Sequence, residues 1–194
     1  EFPLDWGLGS SSTLINNLAQ WVGINPYLLL EETMGGSGYD IAAAQSETAL
    51  FYRRNKFSPT IEAVLFSPPF KDKLFFVYLK EKQNSRVAIA GFNERNTLNS
   101  TSKKRLEEIG TLLINTKEQS NFNALLKEHE DITASFLGQI SVQERLFPDF
   151  KGQLKSLGAW GGDFILASGD ETTVNYFRQK GYPTIFRYAD FILG

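Results

Sequence analysis

The chain has 194 residues, 42% of them hydrophobic and 22% charged, which suits one large or two small globular domains with a sizeable core. Lys and Arg total 20 against 22 for Asp and Glu, a net charge of -2, so the sequence carries no electrostatic footprint for DNA or RNA. With no cysteine and one histidine, His129, it excludes disulfides, thiolate nucleophiles and multi-histidine zinc sites and argues against a Ser-His-Asp triad.

His129 falls in a polar helical pattern and reads as a surface residue. No apolar run reaches the roughly 20 residues of a membrane span, and no charged segment followed by an apolar one opens the chain. The expectation is a cytoplasmic protein with neither membrane nor nucleic acid as partner. The chain begins Glu1-Phe2-Pro3 without an initiator Met, and a glycine-rich loop follows almost at once. Such loops ordinarily follow a strand, so the chain is expected to be the C-terminal part of a longer protein, its missing segment cut off or supplied as another chain.

The first element in chain order is that loop, Gly7-Leu8-Gly9-Ser10-Ser11-Ser12, leading into an apolar-periodic segment from Thr13. Glycines allow close backbone approach, serines offer hydroxyls and N-cap oxygens, and the first amides of a helix are unpaired and carry about half a positive charge. The stretch therefore reads as a phosphate cradle or as an ordinary capped helix after a turn. Over 13–22 the spacing places Leu14, Ile15, Leu18, Trp21 and Val22 on one face, expected to pack on a core. Gly23 to Pro26 breaks this helix, and Tyr27 to Glu32 reads as a second one.

Next comes Gly35-Gly36-Ser37-Gly38-Tyr39-Asp40, running into an alanine-rich helix from Ile41. Asp40 is either a helix cap or a carboxylate presented to a ligand by a glycine hinge. Phe57–Phe66 and Lys73–Leu79 read as strands with a Pro68-Pro69 turn between them, and that Pro pair is the candidate domain boundary, giving domains 1–68 and 69–194. Residues 80–99 read as loop and short helix, in which Lys82, Ser85 and Arg86 form either a solvated face or a contact for an anionic substrate. Ser100 or Ser102 is expected to cap a helix to Asn115, and Glu118–Leu137 completes a helical hairpin with Leu125, Leu126, Ile132 and Phe136 inward. A glycine-rich segment, Gly158-Ala159-Trp160-Gly161-Gly162, then precedes an apolar strand at Phe164–Ala167, a helix at Glu171–Gln179 and a strand at Thr184–Tyr188.

Three motifs in fixed order, Gly7-Leu8-Gly9-Ser10-Ser11-Ser12, Gly36-Ser37-Gly38-Tyr39-Asp40-Ile41-Ala42 and Gly158-Ala159-Trp160-Gly161-Gly162, resemble those of the GHMP kinase superfamily, and Gly38-Tyr39-Asp40-Ile41-Ala42 resembles its GYDIA branch. The resemblance covers essentially the whole chain and implies an α+β, two-domain GHMP kinase fold. That fold would combine the remnant of a ribosomal-protein-S5-like N-terminal domain, which binds ATP, with a ferredoxin-like C-terminal domain. It implies a mevalonate or phosphomevalonate kinase-like enzyme using ATP and Mg²⁺ on a small-molecule substrate. Gly7, Leu8, Gly9, Ser10, Ser11 and Ser12 would wrap the ATP phosphates, with Gly158, Ala159, Gly161 and Gly162 closing over them. Ser11 would reach Mg²⁺ together with Glu32, or Glu31, and Asp40 would be the catalytic carboxylate. Trp160 and Asp163 depart from the usual third motif, which is nearly all glycine after its Gly-Ala pair, and would crowd or repel phosphate unless Trp160 shapes the substrate pocket. They keep open a non-catalytic binding or regulatory relative, beside a diphosphomevalonate decarboxylase-like enzyme.

Overall fold

A computed structural model describes residues 3, 6–81, 99–158 and 163–192. The chain divides into two compact units, Leu8–Phe66 and the residues from Ser67 onward, the latter taking in the start of the chain through Gly7.

The first unit holds α1 (Ser10–Val22), α2 (Pro26–Thr33), α3 (Tyr39–Ala44), β1 (Ala49–Arg53) and β2 (Thr60–Val64). Helix α1 is bounded at both ends by left-handed glycines, Gly9 and Gly23. Asn25 caps α2, its side-chain oxygen accepting from the amides of Tyr27 at 2.8 Å and Leu28 at 3.3 Å, with Pro26 in the first turn. Ile15, Leu30 and Ile41, one from each helix, form the core, with Tyr27 and Leu29 packed against it. The Gln45 amide donates to Asn16 Oδ1 at 2.7 Å and ties the end of α3 to α1.

The buried stripe of α1 is Ile15, Asn16 and Ala19, so of the expected face only Ile15 is buried. Leu14, Leu18 and Val22 are exposed, and Trp21 is 84% exposed. The small side chain of Ala19 and the Asn16–Gln45 bond bring α3 against the neighbouring stripe, and α2 and α3 are short elements that cover one side of a 13-residue helix. Strand β2 pairs antiparallel with β1, from Ala49 opposite Val64 to Arg53 opposite Thr60.

The second unit is built on a four-stranded antiparallel sheet of β3 (Leu74–Tyr78), β4 (Gln153–Ser156), β5 (Phe164–Ser168) and β6 (Ile185–Arg187), in the order β4-β5-β3-β6. Its helices are α4 (Ser100–Asn115), α5 (Gln119–Leu137), α6 (Val142–Leu146), α7 (Thr173–Gln179) and α8 (Tyr188–Phe191). The period-2 pattern puts Phe75 and Val77, Ile165 and Ala167, and Leu154 into one cluster with Val142, Phe147, Phe150 and Phe177. On the other strand positions, Tyr78, Phe164 and Phe186 gather around the Trp6 ring at centroid distances of 5.9, 5.7 and 5.3 Å.

Helices α4 and α5 form the expected hairpin, pinned by Arg105, whose Nε and Nη2 donate to the two carboxylate oxygens of Glu128 at 2.6 and 2.7 Å. Asn99, not Ser100 or Ser102, caps α4 by accepting from the Ser102 amide at 2.8 Å. Strand β4 is an addition to the expected order. It is short and carries Gln153, Lys155 and Ser156, whose polar side chains hide its strand character. His129 is partly buried rather than a surface group. Burial, with Lys155 nearby, holds its pKa down at about 4. The expected elements and contacts of residues 82–98, including Lys82, Ser85 and Arg86, lie outside the described residues. Among the described residues no helix is long and apolar enough to cross a membrane.

Candidate functional site

In the loop that opens α1, Gly7 and Gly9 both take positive φ, 63° and 73°. Gly9 is the N-cap, so the three serines form the first turn and no side chain caps the helix. The helical ladder starts with the Thr13 amide donating to the Gly9 carbonyl at 2.9 Å, which leaves the amides of Ser10, Ser11 and Ser12 ahead of it. No acidic residue stands in that first turn to neutralise the positive end of the helix. The arrangement is a helix N-terminus with uncapped amides and an αL glycine, which fits an anion.

Asp40 lies beside it within the same unit. A Cβ placed on Gly9 would come 3.5 Å from both Cβ and Cγ of Asp40. Asp40 occupies the first turn of α3, and the cap of that helix is Gly38, in the αL conformation at φ 82°. The carboxylate is therefore not a capping group. Burial pushes its proton affinity up, and a hydrogen bond with Tyr39 pulls it partly back. The same burial, with the Asp40 charge, pushes the Tyr39 hydroxyl up to about 12.

The other predicted site residues are distributed as follows. Leu8, Ser10 and Ser12 are partly buried and Ser11 is exposed in the loop, while Glu32 is exposed on α2. Glu31 is engaged with Arg54 at 3.2 Å. Among the described residues no group of three or more acidic or histidine side chains gathers as a metal site. The serine hydroxyls and the Asp40 carboxylate are oxygens of the kind a hard cation takes.

In the second unit, Gly158 is exposed at φ 59°, and Ala159, Gly161 and Gly162 lie outside the described residues. Asp163 follows them at φ 38°, held by its amide donating to the Glu81 carbonyl at 2.7 Å and its carbonyl accepting from Leu79 at 2.7 Å. Its carboxylate packs on Gly7. Two residues before Gly158, Ser156 donates to Glu130 Oε2 at 2.8 Å while Lys155 donates to Oε1 at 2.9 Å. Glu130 is 5% exposed and Lys155 16%, a buried pair on α5 and β4 that sequence patterning passed over. The signal was a charged residue recurring on the inward stripe of α5, four positions after Leu126. A cavity of about 400 Å³ opens beside Glu130, lined also by Leu137, Ile140, Val142 and Arg145, and none of the predicted site residues lines it.

No protein-family model matches the chain, and no curated protein matches it. Solved structures do. Streptococcus pneumoniae phosphomevalonate kinase, in complex with phosphomevalonate and AMPPNP, superposes with a TM-score of 0.70 at 16% identity, over 94% of this chain and 69% of the kinase. The fold is that of the GHMP kinases. A second structure with this fold, L. major mevalonate kinase in complex with R-mevalonate, matches with a TM-score of 0.60 at 14% identity, over 92% of this chain and 64% of that one. The Lin0012 protein from Listeria innocua matches with a TM-score of 0.69 at 18% identity, over 93% and 66%. The chain thus spans about two thirds of the length of these structures.

Proposed function

We propose that this chain is part of an ATP-dependent small-molecule kinase that moves the γ-phosphoryl group of ATP to an alcohol or phosphate of a mevalonate-like acceptor. The observation that carries this reading is the meeting of Asp40 with Gly9 at the uncapped N-terminus of α1, two features that stand 31 positions apart in the sequence. ATP with Mg²⁺ supplies the phosphoryl group and its counter-charge. The amides of Ser10, Ser11 and Ser12 hold phosphate oxygens, and Gly9 puts no side chain of its own beside them. The Ser11 hydroxyl is the proposed protein ligand for the metal, with Glu32 as a lesser candidate. Asp40 faces the acceptor hydroxyl, accepts its proton or stabilises the charge that develops as the bond forms, and is made a better base by its burial.

The test is carried out on the full-length protein with mevalonate and phosphomevalonate as acceptors. Asp40→Asn keeps the shape and removes the charge, so kcat is expected to fall by about 10²- to 10⁴-fold with ATP affinity little changed. Gly9→Val is expected to abolish ATP binding, because a β-branched residue is strained at positive φ and its side chain enters the cradle. Near-normal turnover by Asp40→Asn would remove the catalytic assignment. ATP binding without turnover on any acceptor would mark instead a binding protein that keeps the fold.

A further inference from the structure

Gly38, the cap that sets the direction of α3, is buried between two tyrosines of the same unit. A Cβ at this position would lie 3.0 Å from Cδ1 and 3.2 Å from Cε1 of Tyr27, on α2, and 3.0 Å from the hydroxyl of Tyr52, on β1. Tyr52 also donates to the carbonyl of Ser37 at 2.7 Å, gripping the residue before the glycine. Tyr27 is fixed in turn by its packing on Ile15, Leu30 and Ile41 and by its backbone amide, which donates a hydrogen bond to Asn25 Oδ1. The peptide that leads into Tyr39-Asp40 is thus pressed by a ring on one side and hydrogen-bonded on the other.

We propose that Tyr27 and Tyr52 are positioning residues that clamp Ser37-Gly38 and so hold the Asp40 carboxylate against Gly9. This rests on the reading of Asp40 as the group that acts on the acceptor. The two tyrosines contribute differently. The Tyr27 hydroxyl is buried and has no hydrogen-bond partner among the described residues, so its ring does the clamping and its oxygen is dispensable. Tyr52 acts through its oxygen, since that atom makes both the Ser37 bond and the approach to Gly38. An α-carbon shift of even an ångström at Gly38 is carried rigidly into α3, and misplacements of that size cost reactions about a hundredfold.

The experiment compares Tyr27→Phe, Tyr27→Leu and Tyr52→Phe with Asp40→Asn in the full-length protein, measuring kcat and the KM for ATP with mevalonate and phosphomevalonate. Tyr52→Phe and Tyr27→Leu are expected to lower kcat by about 10- to 100-fold while the KM for ATP stays within about twofold, and Tyr27→Phe to restore kcat to within about twofold of the parent. A purely structural role would lower the melting temperature without that split between kcat and KM. Tyr52→Phe deletes a single atom and decides the matter alone if Tyr27→Leu does not fold. Unchanged kcat in Tyr52→Phe, with Asp40→Asn impaired, overturns the clamp. Unchanged kcat in Asp40→Asn overturns the kinase reading instead.

Discussion

The carboxylate of Asp163 rests directly on the α-carbon of Gly7: a Cβ at position 7 would overlap its Oδ2 and Cγ. Residues that lie at opposite ends of the sequence thus share one contact, at the end of the sheet where Trp6 packs on Tyr78, Phe164 and Phe186.

Gly7→Ala is expected to destabilise the protein by about 1–3 kcal/mol, from a side chain at φ 63° and from the displaced carboxylate. Asp163→Gly removes the obstacle and also suits the φ of 38° at that position. In a double-mutant cycle read by urea denaturation, Gly7→Ala should cost less in the Asp163→Gly background than in the parent. Simple additivity of the two would refute the contact.

Asp40 opposes stability wherever it is charged. Burial raises its folded-state affinity for a proton above that of a free aspartate, whose pKa is 3.8. Its favourable, protonated form is fully populated below the unfolded pKa, and the benefit is lost as pH rises through the folded pKa. Asp40→Asn should therefore melt higher than the parent at pH 7.5, with the gain vanishing below pH 3.8. A parent protein more stable than the variant at neutral pH would contradict the burial of the charge.

His129 works in the opposite sense. Its pKa is lowered from 6.5 to about 4, first by burial and then by the Lys155 charge, so the folded state prefers the neutral ring. Stability from this group is complete above pH 6.5 and is lost as pH falls towards 4. His129→Gln should flatten the melting-temperature profile across that window, and an unchanged slope would place the ring in solvent.

The Glu130–Lys155 pair tests how a buried charge is tolerated. Lys155→Met leaves the Glu130 carboxylate with Ser156 alone and should cost about 3–5 kcal/mol. Replacing both, Glu130→Leu with Lys155→Met, should recover most of that loss, since a packed apolar pair needs no desolvation. Urea midpoints of the two single variants and the double variant measure it.

Much of the fold was legible because local chemistry and tertiary packing agree there. The α4–α5 hairpin, β3, β5 and α7 follow from periodicity and caps. The reading fails on most of α1: of the five apolar residues expected in the core the helix buries only Ile15, beside Asn16 and Ala19. A hydrophobic face in sequence says that a surface wants cover, and tertiary contacts decide which side receives it. At the candidate site, Gly9 and Asp40 are legible as residues, while their adjacency depends on the Gly38 conformation and on α3 packing against α1. Asp163 was read as a possible repellent of phosphate, and only the backbone turn at φ 38° directs it to Gly7.

The strand order β4-β5-β3-β6 also sets a schedule. Strand β3 is the first of the sheet to leave the ribosome and lies second from its edge, yet Phe76 faces Leu166 and Phe186, 90 and 110 positions further on. Until those partners are synthesised, Leu74-Phe75-Phe76-Val77-Tyr78 is an uncharged, strongly β-forming run with both edges open, the kind of segment that nucleates aggregates. Lys71, Lys73 and Lys80 bracket it closely. Charges that flank an exposed strand of this kind oppose its association with other copies, a need that ends once the sheet closes.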